Sequence, residues 1–160
     1  MLKKKSQKEL TDEEKVKILF VDEMNSLQSQ VAEYFLNELY GDEYAAYSAG
    51  AKFDFIDCEL ISVMYQNGYD IRTARAKDFR SRQIPMSFDH IVFLEKATYD
   101  RIKDVIPYDA PTSMKDFGNR GDLKATDDLE LYNAYTELIN RIRDWVKETF
   151  ADPGRFREEQ

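Results

Sequence analysis

A polar stretch at 22–29 holds residue types that could bind or react, and it lies between an apolar run and an amphipathic segment. A loop that leads from a strand into a helix directs backbone N–H groups and the positive end of the helix dipole at one point, where an anion can bind. Carboxylates at that point would repel an anion, since two like charges about 4 Å apart cost on the order of 4 kcal/mol at an effective dielectric of 20. The loop therefore has the predicted backbone shape of an anion site, but its side chains are negatively charged and would repel an anion. Its polar side chains are those of Asp22, Glu23, Asn25, Ser26, Gln28 and Ser29.

Two elements must position this loop. The run Lys17–Val21 is short, apolar and rich in residues that favour strands, so it predicts a buried strand. Over 27–39 apolar residues recur every four positions, which predicts one face of an amphipathic helix. These residues are Leu27, Val31, Phe35 and Leu39.

Four short motifs follow one another here: KILFV at 17–21, Asn25-Ser26, SQVAE at 29–33 and YSAG at 47–50. Their order and spacing resemble the low-molecular-weight protein tyrosine phosphatases and their arsenate-reductase relatives. In that family the loop begins with a nucleophilic cysteine and carries an arginine six residues later. The spacing matches without a gap, but Asp22 stands at the position of the cysteine and Gln28 at that of the arginine.

The resemblance implies a set of binding residues in the loop and at the end of the second strand. Asn25 and Ser26 would keep the internal hydrogen bonds that shape the loop, and the Ser29 hydroxyl would bond to it. Met24 stands at a loop position that is typically glycine-like. The implied binding residues are Glu23, Met24, Asn25, Ser26, Leu27, Ser29 and Ser48.

The chemistry of the resembled family needs groups that this sequence does not place in the loop. Hydrolysis of a phosphate ester there requires a thiolate nucleophile and a guanidinium that grips the phosphoryl oxygens, and Asp22 and Gln28 supply neither. Arsenate reduction requires several cysteines, and Cys58 is the single one. The family's general acid lies in an Asp-Pro pair before the last helix; the best match is Asp122, which lacks the proline, and Asp116 competes with it.

We therefore predict no catalytic residues and interpret Asp22, Gln28 and Asp122 as degenerate positions. A carboxylate near a helix N-terminus is favourable by about 0.3–1 kcal/mol. We expect the Asp22 carboxylate to occupy the position of the missing phosphate and to bond with the N–H groups of the loop. The predicted function is that of a catalytically inactive, phosphatase-like protein that binds or regulates a protein partner.

Two alternatives stay open at this point. The first is an enzyme of the phosphatase family with a non-cysteine mechanism that uses Asp22, either as a phosphoacceptor or with Asp122 as ligands of a divalent cation. The second is a receiver-like signalling domain, because an acidic pair follows the first strand. That reading lacks its phosphoacceptor aspartate, since the third strand is followed by Glu95.

Composition restricts the class of protein and its partners. The chain has 160 residues, 42% of them hydrophobic, which predicts one globular domain. A net charge of −8 disfavours nucleic acid and anionic membranes as partners. One cysteine and one histidine disfavour a disulfide and a His-rich metal site, so we predict no cofactor. With neither a long apolar run nor a secretory signal, we expect a cytoplasmic protein of undetermined oligomeric state.

Strands alternate with helices along the chain, which predicts an α/β three-layer sandwich: a four-stranded, mostly parallel sheet with helices on both faces. Such sheets bind ligands at the carboxyl ends of their strands, where Asp22, Ser48 and Asp122 would meet. The predicted divisions are a flexible extension at 1–15, a phosphatase-like domain at 16–150 and a tail at 151–160. Further strands are predicted at 43–48, 88–94 and 110–117, and further helices at 56–66, 97–105 and 127–150.

Three surface features complete the expectations. Phe53 and Phe55 are predicted to cap the core, because large apolar side chains are usually buried; exposure of either would indicate contact with a partner. Five basic residues at 69–82 predict a solvated face that could form a basic rim beside the acidic loop. Gly50 is expected to permit a turn with positive φ.

Overall fold

The computed structural model describes residues 9–157, which fold around a four-stranded sheet of order β2-β1-β3-β4. Every neighbouring pair of these strands is parallel, so the predicted α/β sandwich is confirmed. The strands are β1 (Val16–Asp22), β2 (Tyr44–Gly50), β3 (His90–Phe93) and β4 (Thr112–Met114). The helices are α1 (Gln28–Tyr40), α2 (Cys58–Gln66), α3 (Lys96–Ile102), α4 (Asp128–Thr149) and α5 (Gly154–Arg157).

Strand β1 is central because it is apolar on both faces, as a strand covered on two sides must be. Ile18 and Phe20 pack into one cluster with α1, α2 and α4, whereas Leu19 and Val21 pack into a second cluster with Ile102 of α3. Successive side chains of a strand point to opposite faces, so this alternation produces the two outer helical layers.

The helix boundaries follow capping signals in the sequence. Asp127 accepts a hydrogen bond from the Glu130 backbone N–H and so begins α4, as expected for an aspartate at the N-cap. Gly68 ends the turn after α2 with a φ of 92°, which a glycine adopts without strain. Helix α1 lies where the apolar period predicts it, but Leu39 is 38% exposed and does not join the buried stripe.

Residues 9–15 and 151–157 are described on either side of the domain predicted at 16–150. Of the extension predicted at 1–15, residues 1–8 lie outside the described part, and Thr11–Glu14 form a turn before β1. In the tail predicted at 151–160, α5 buries Phe156 against Phe150, with their rings stacked 5.1 Å apart. Between residues 9 and 157 no helix has the length and apolarity to cross a membrane.

Candidate functional site

The loop between β1 and α1 closes around the carboxylate of Asp22. Asp22 is the last residue of β1 and is 2% exposed. Its Oδ1 accepts a hydrogen bond from the Asn25 backbone N–H (2.6 Å), and its Oδ2 accepts one from the Ser29 N–H (2.9 Å). Ser29 lies in the first turn of α1, so the carboxylate has the position that an external anion takes at a helix N-terminus.

The charge of this carboxylate is set by two opposing effects. Burial raises the pKa of Asp22 above its ordinary value, because removal from water disfavours the ionised form. Hydrogen bonds from Ser29 and Asn25 oppose that rise, since they stabilise the ionised form. The loop amides therefore serve the chain's own carboxylate, and an incoming anion would have to displace it.

Asn25 shapes the loop from inside. It is fully buried, and its φ of 56° is left-handed, which asparagine tolerates better than most residues. Its side-chain amide donates to Ser29 Oγ (2.9 Å), and its Oδ1 accepts from Gln30 Nε2 (3.0 Å) and from the Lys77 backbone N–H (2.7 Å). Asn25 therefore joins the loop to α1 and to the segment around Lys77.

Glu23 joins the other side of the loop to α3 instead of facing the Asp22 carboxylate. Its Oε1 accepts a hydrogen bond from Thr98 Oγ1 (3.0 Å) and is also bonded to the Arg101 guanidinium. Its backbone N–H donates to Glu95 Oε1 (3.0 Å), a buried carboxyl whose pKa is raised by that burial. The charge of Glu23 is thus neutralised by Arg101 of α3, a helix on the face of the sheet opposite to α1.

Gln28, at the position where the resembled family has arginine, is the first residue of α1 and is 2% exposed. Its side-chain amide donates to the carbonyl of Gly118, in the segment that precedes α4. The neutral amide is therefore occupied by a distant loop of the same chain, which it ties to the start of α1.

Asp57, the N-cap of α2, makes a second connection to the segment that precedes α4. The Asp57 side chain is 3% exposed, and its Oδ2 is bonded to Arg120 Nε and to Tyr135 Oη, each at 2.6 Å. Its backbone N–H donates to the carbonyl of Ser26 (3.1 Å). Asp57 thereby joins the candidate site, α2 and α4, and the loop around Arg120.

Gly50 approaches the candidate site closely, and the reason for glycine differs from the predicted one. Its φ is not positive; the residues with that conformation in the described chain are Asn25, Gly68 and Gly118. Instead, a Cβ at Gly50 would lie 2.6 Å from the Asn25 nitrogen and 2.8 Å from the Glu23 oxygen. The expectation of a left-handed turn is wrong, because glycine is needed here for close backbone contact.

The remaining predicted binding residues divide by location. Ser26 and Met24 are half-buried in the loop, and Leu27 is buried at the start of α1. Ser48 is fully buried two positions before the end of β2, and its hydroxyl donates to Glu33 of α1. The structure therefore places Ser48 inside the sandwich, not at the carboxyl edge where we expected it.

The two candidates for a general acid line a pocket of about 330 Å³, together with Glu95 and Gly118, which bond to the loop. Asp116 Oδ1 accepts from the backbone N–H of Lys96 (3.1 Å), and Asp122 Oδ2 accepts from that of Asn119 (3.0 Å) in a capping box. Both carboxylates are exposed, whereas Asp22 is buried and does not line this pocket. Within residues 9–157 no group of three or more His, Cys, Asp or Glu side chains is arranged to hold a metal ion.

Sequence reasoning missed several residues that shape the site, above all Asp57, Lys77 and Arg120. An aspartate directly before an apolar helical pattern is an N-cap signal, so the position of Asp57 could have been predicted. Its pairing with Arg120 joins residues 63 positions apart, for which a single sequence carries no signal.

The two phenylalanines after β2 are exposed, contrary to the expectation that they cap the core. Phe53 is 57% exposed and Phe55 is 88% exposed. Phe53 lines a groove of about 430 Å³, and the groove's other wall comes from the basic segment of the chain. We call this feature the basic groove; its principal lining residues are Phe53, Arg75, Lys77, Asp78, Arg80 and Gln83.

Comparison with known proteins agrees with the resemblance drawn from the motifs. A family model described as low molecular weight phosphotyrosine protein phosphatase matches residues 17–152, which is most of the chain. No curated protein matches the sequence at a significant level.

Solved structures of two activities have a similar fold. A low molecular weight protein tyrosine phosphatase from T. tengcongensis has a TM-score of 0.62 and 19% identity, over 84% of this chain and 97% of that one. A thioredoxin-dependent arsenate reductase from Corynebacterium glutamicum has a TM-score of 0.60 and 18% identity, over 94% of this chain and 66% of that one. Wzb from Vibrio vulnificus, in complex with benzylphosphonate, has a TM-score of 0.56 and 22% identity, over 83% and 98%. At these identities the likeness shows the fold alone.

Proposed function

The chain belongs to the low molecular weight phosphotyrosine protein phosphatase family, and we propose that it is a catalytically inactive member that acts by binding a protein partner. Asp22 and Gln28 would then be structural residues of a loop that once had the form of a phosphate site. A cytoplasmic location is part of this proposal.

The observation that carries the proposal is the internal occupation of the loop. Both carboxylate oxygens of Asp22 accept hydrogen bonds from backbone N–H groups that an oxyanion would need. The side-chain amide of Gln28 donates to the carbonyl of Gly118. A phosphate dianion would meet a buried carboxyl group where the family has a thiolate, with no guanidinium at position 28 to compensate its charge. Hydrolysis also needs a nucleophile with a free path to phosphorus, and the Asp22 oxygens are already bonded.

The non-cysteine enzyme that uses Asp22 has no separate support from the geometry. Asp122 would have to approach Asp22 to share a cation, but Asp122 is exposed and bonded in a capping box, whereas Asp22 is buried and bonded to the loop amides. The receiver-like reading has none either, because the carboxyl of Glu95 bonds to the loop backbone and to Thr98.

Turnover of p-nitrophenyl phosphate tests the proposal, measured with and without Mg²⁺ or Mn²⁺. We expect no hydrolysis above that of buffer from the wild-type chain. The double variant Asp22→Cys, Gln28→Arg is the informative companion, since it restores both groups that the family uses. Activity of the wild type that disappears in Asp22→Ala would overturn the proposal and favour the non-cysteine mechanism.

A further inference from the structure

The basic groove concentrates positive charge on a chain whose net charge is −8. The segment 69–83 carries five lysines and arginines against two aspartates. Those aspartates are paired: Asp70 with Arg72 and Asp78 with Arg80, each at 2.9 Å. Among the described residues no carboxylate lies within ion-pair distance of Arg75, which is exposed and lines the groove, or of the exposed Arg82, which stands next to the lining residue Gln83 in the sequence. The groove therefore keeps unneutralised positive charge, which attracts an acidic molecule.

The opposite wall of the groove presents aromatic surface that the chain itself does not cover. The Lys52 backbone N–H donates to the Glu23 carbonyl (3.2 Å), and that of Asp57 donates to the Ser26 carbonyl (3.1 Å). Phe53 and Phe55 lie between these anchors and are 57% and 88% exposed; of the two, Phe53 lines the groove. Exposed aromatic side chains beside arginines are typical of the energetic centres of protein interfaces.

The basic wall is also held in place, by hydrogen bonds to the loop at 22–29 and to the end of β2. Lys77 donates its backbone N–H to Asn25 Oδ1 (2.7 Å), and its carbonyl accepts the N–H of Gly50 (2.9 Å). Both walls of the groove are therefore bonded to residues 22–26. A surface held in one conformation loses less conformational entropy when it binds, which favours affinity.

We infer that the basic groove is a docking site for an acidic polypeptide segment that carries an apolar side chain. Carboxylates of the segment pair with Arg75 and with Arg80, whose side chain stays 88% exposed beside its Asp78 partner, and the apolar side chain of the segment packs on Phe53. This inference rests on the proposed function, because it names the chemistry of the partner and the surface that binds it. Recognition of acidic motifs by clustered arginines is an established mode of peptide binding.

Fluorescence anisotropy of a short labelled peptide, in which glutamates flank a leucine, tests this inference. We expect saturable binding to the wild-type chain that weakens as salt is added. Arg75→Glu with Arg80→Glu should weaken binding by about tenfold or more, and Phe53→Ala by severalfold. The matched controls are Lys103→Glu with Lys147→Glu, which makes the same charge change on exposed residues elsewhere, and Leu129→Ala, which removes an exposed apolar side chain.

Three results would each overturn the inference: no saturable binding of the acidic peptide, equal binding of a peptide with lysines in place of glutamates, or equal losses in the groove and control variants. Inorganic phosphate binding measured on the same preparation separates this test from that of the proposed function. Phosphate bound in the loop would refute the inactive loop, whereas the peptide result alone decides the role of the groove.

Discussion

The loop at 22–29 and the basic groove are neighbours that use their polar groups in opposite ways. In the loop, a buried carboxylate and a buried amide are bonded to the chain's own backbone. In the groove, arginines and a phenylalanine are exposed, and Arg75 has no acidic partner among the described residues. Groups already bonded within the fold contribute to stability, whereas exposed and rigid groups are available for binding. The difference separates the loop that we propose is inactive from the surface that we propose binds a partner.

The two regions are nevertheless one hydrogen-bonded unit. Asn25 and Gly50 both bond to the backbone of Lys77, and Glu23 and Ser26 anchor the segment that carries Phe53. The loop therefore supports the groove through these hydrogen bonds.

The largest effect should come from Asp22→Ala. This change leaves the N–H groups of Asn25 and Ser29 buried without an acceptor, and each such loss costs about 1–3 kcal/mol. We expect a fall of about 3 kcal/mol in the free energy of unfolding, measured by urea denaturation. The exposed Asp104→Ala is the control and should change stability by less than about 0.5 kcal/mol. A wild-type-like midpoint for Asp22→Ala would show that the carboxylate does not hold the loop.

Gly50→Ala should have the next largest effect. A methyl group there meets backbone atoms of the loop at 2.6 and 2.8 Å, so the loop or β2 must move. Overpacking of this kind costs about 1–3 kcal/mol. In Gly154→Ala the new methyl would meet only the flexible side chain of Asp152, at 3.2 Å, and urea midpoints should separate the two variants. Equal urea midpoints for Gly50→Ala and Gly154→Ala would contradict the close approach of Gly50 to the loop backbone.

The pH dependence of stability sharpens the contrast between partly buried and exposed carboxyls. Burial raises the pKa of Glu33, so above its ordinary value of 4.5 the folded state binds more protons than the unfolded state. By linkage, Glu33 loses its contribution as pH rises from 4.5 through the folded value. The wild type should therefore lose stability relative to Glu33→Gln over that range in urea titrations at successive pH values.

Glu130 is the matched case of opposite sign. Hydrogen bonds from Thr126 lower the pKa of this exposed carboxyl, so its contribution is present above pH 4.5 and is lost as pH falls through the folded value. The wild type should gain stability relative to Glu130→Gln as pH rises. If both differences had the same sign, the raised pKa of the partly buried Glu33 would be contradicted.

The smallest effect on stability is expected in the basic groove. Phe53→Ala combined with Arg75→Ala removes exposed groups and should change the free energy of unfolding by less than about 0.5 kcal/mol. Arg75 has no acidic partner among the described residues, so its removal breaks no ion pair there. A loss comparable to that of Asp22→Ala would remove the distinction between a structural loop and a binding surface.

The sequence predicts the framework of this molecule better than its connections. The apolar run before Asp22, the four-residue period after it and the spacing of the motifs all depend on local chemistry, so β1, α1 and the loop lie where expected. The bonds of Gln28 to Gly118 and of Asp57 to Tyr135 join residues 90 and 78 positions apart, and local patterns carry no information on such pairs.

The exposed phenylalanines illustrate a second limit. Apolar residues are usually buried, and that rule assigned Phe53 and Phe55 to the core. Both side chains are exposed instead, on a segment whose backbone is hydrogen-bonded to the loop on either side of the pair. Function overrides the burial rule at binding surfaces, so this departure from it is consistent with the proposed docking site.

Isothermal titration of inorganic phosphate into the wild-type chain at neutral pH tests the central claim most directly. With the loop amides bonded to Asp22 and no guanidinium at position 28, we expect no saturable heat of binding, whereas Asp22→Cys with Gln28→Arg should gain affinity for phosphate. Tight, saturable binding to the wild type, lost when Gln28 is changed to alanine, would contradict an internally occupied loop.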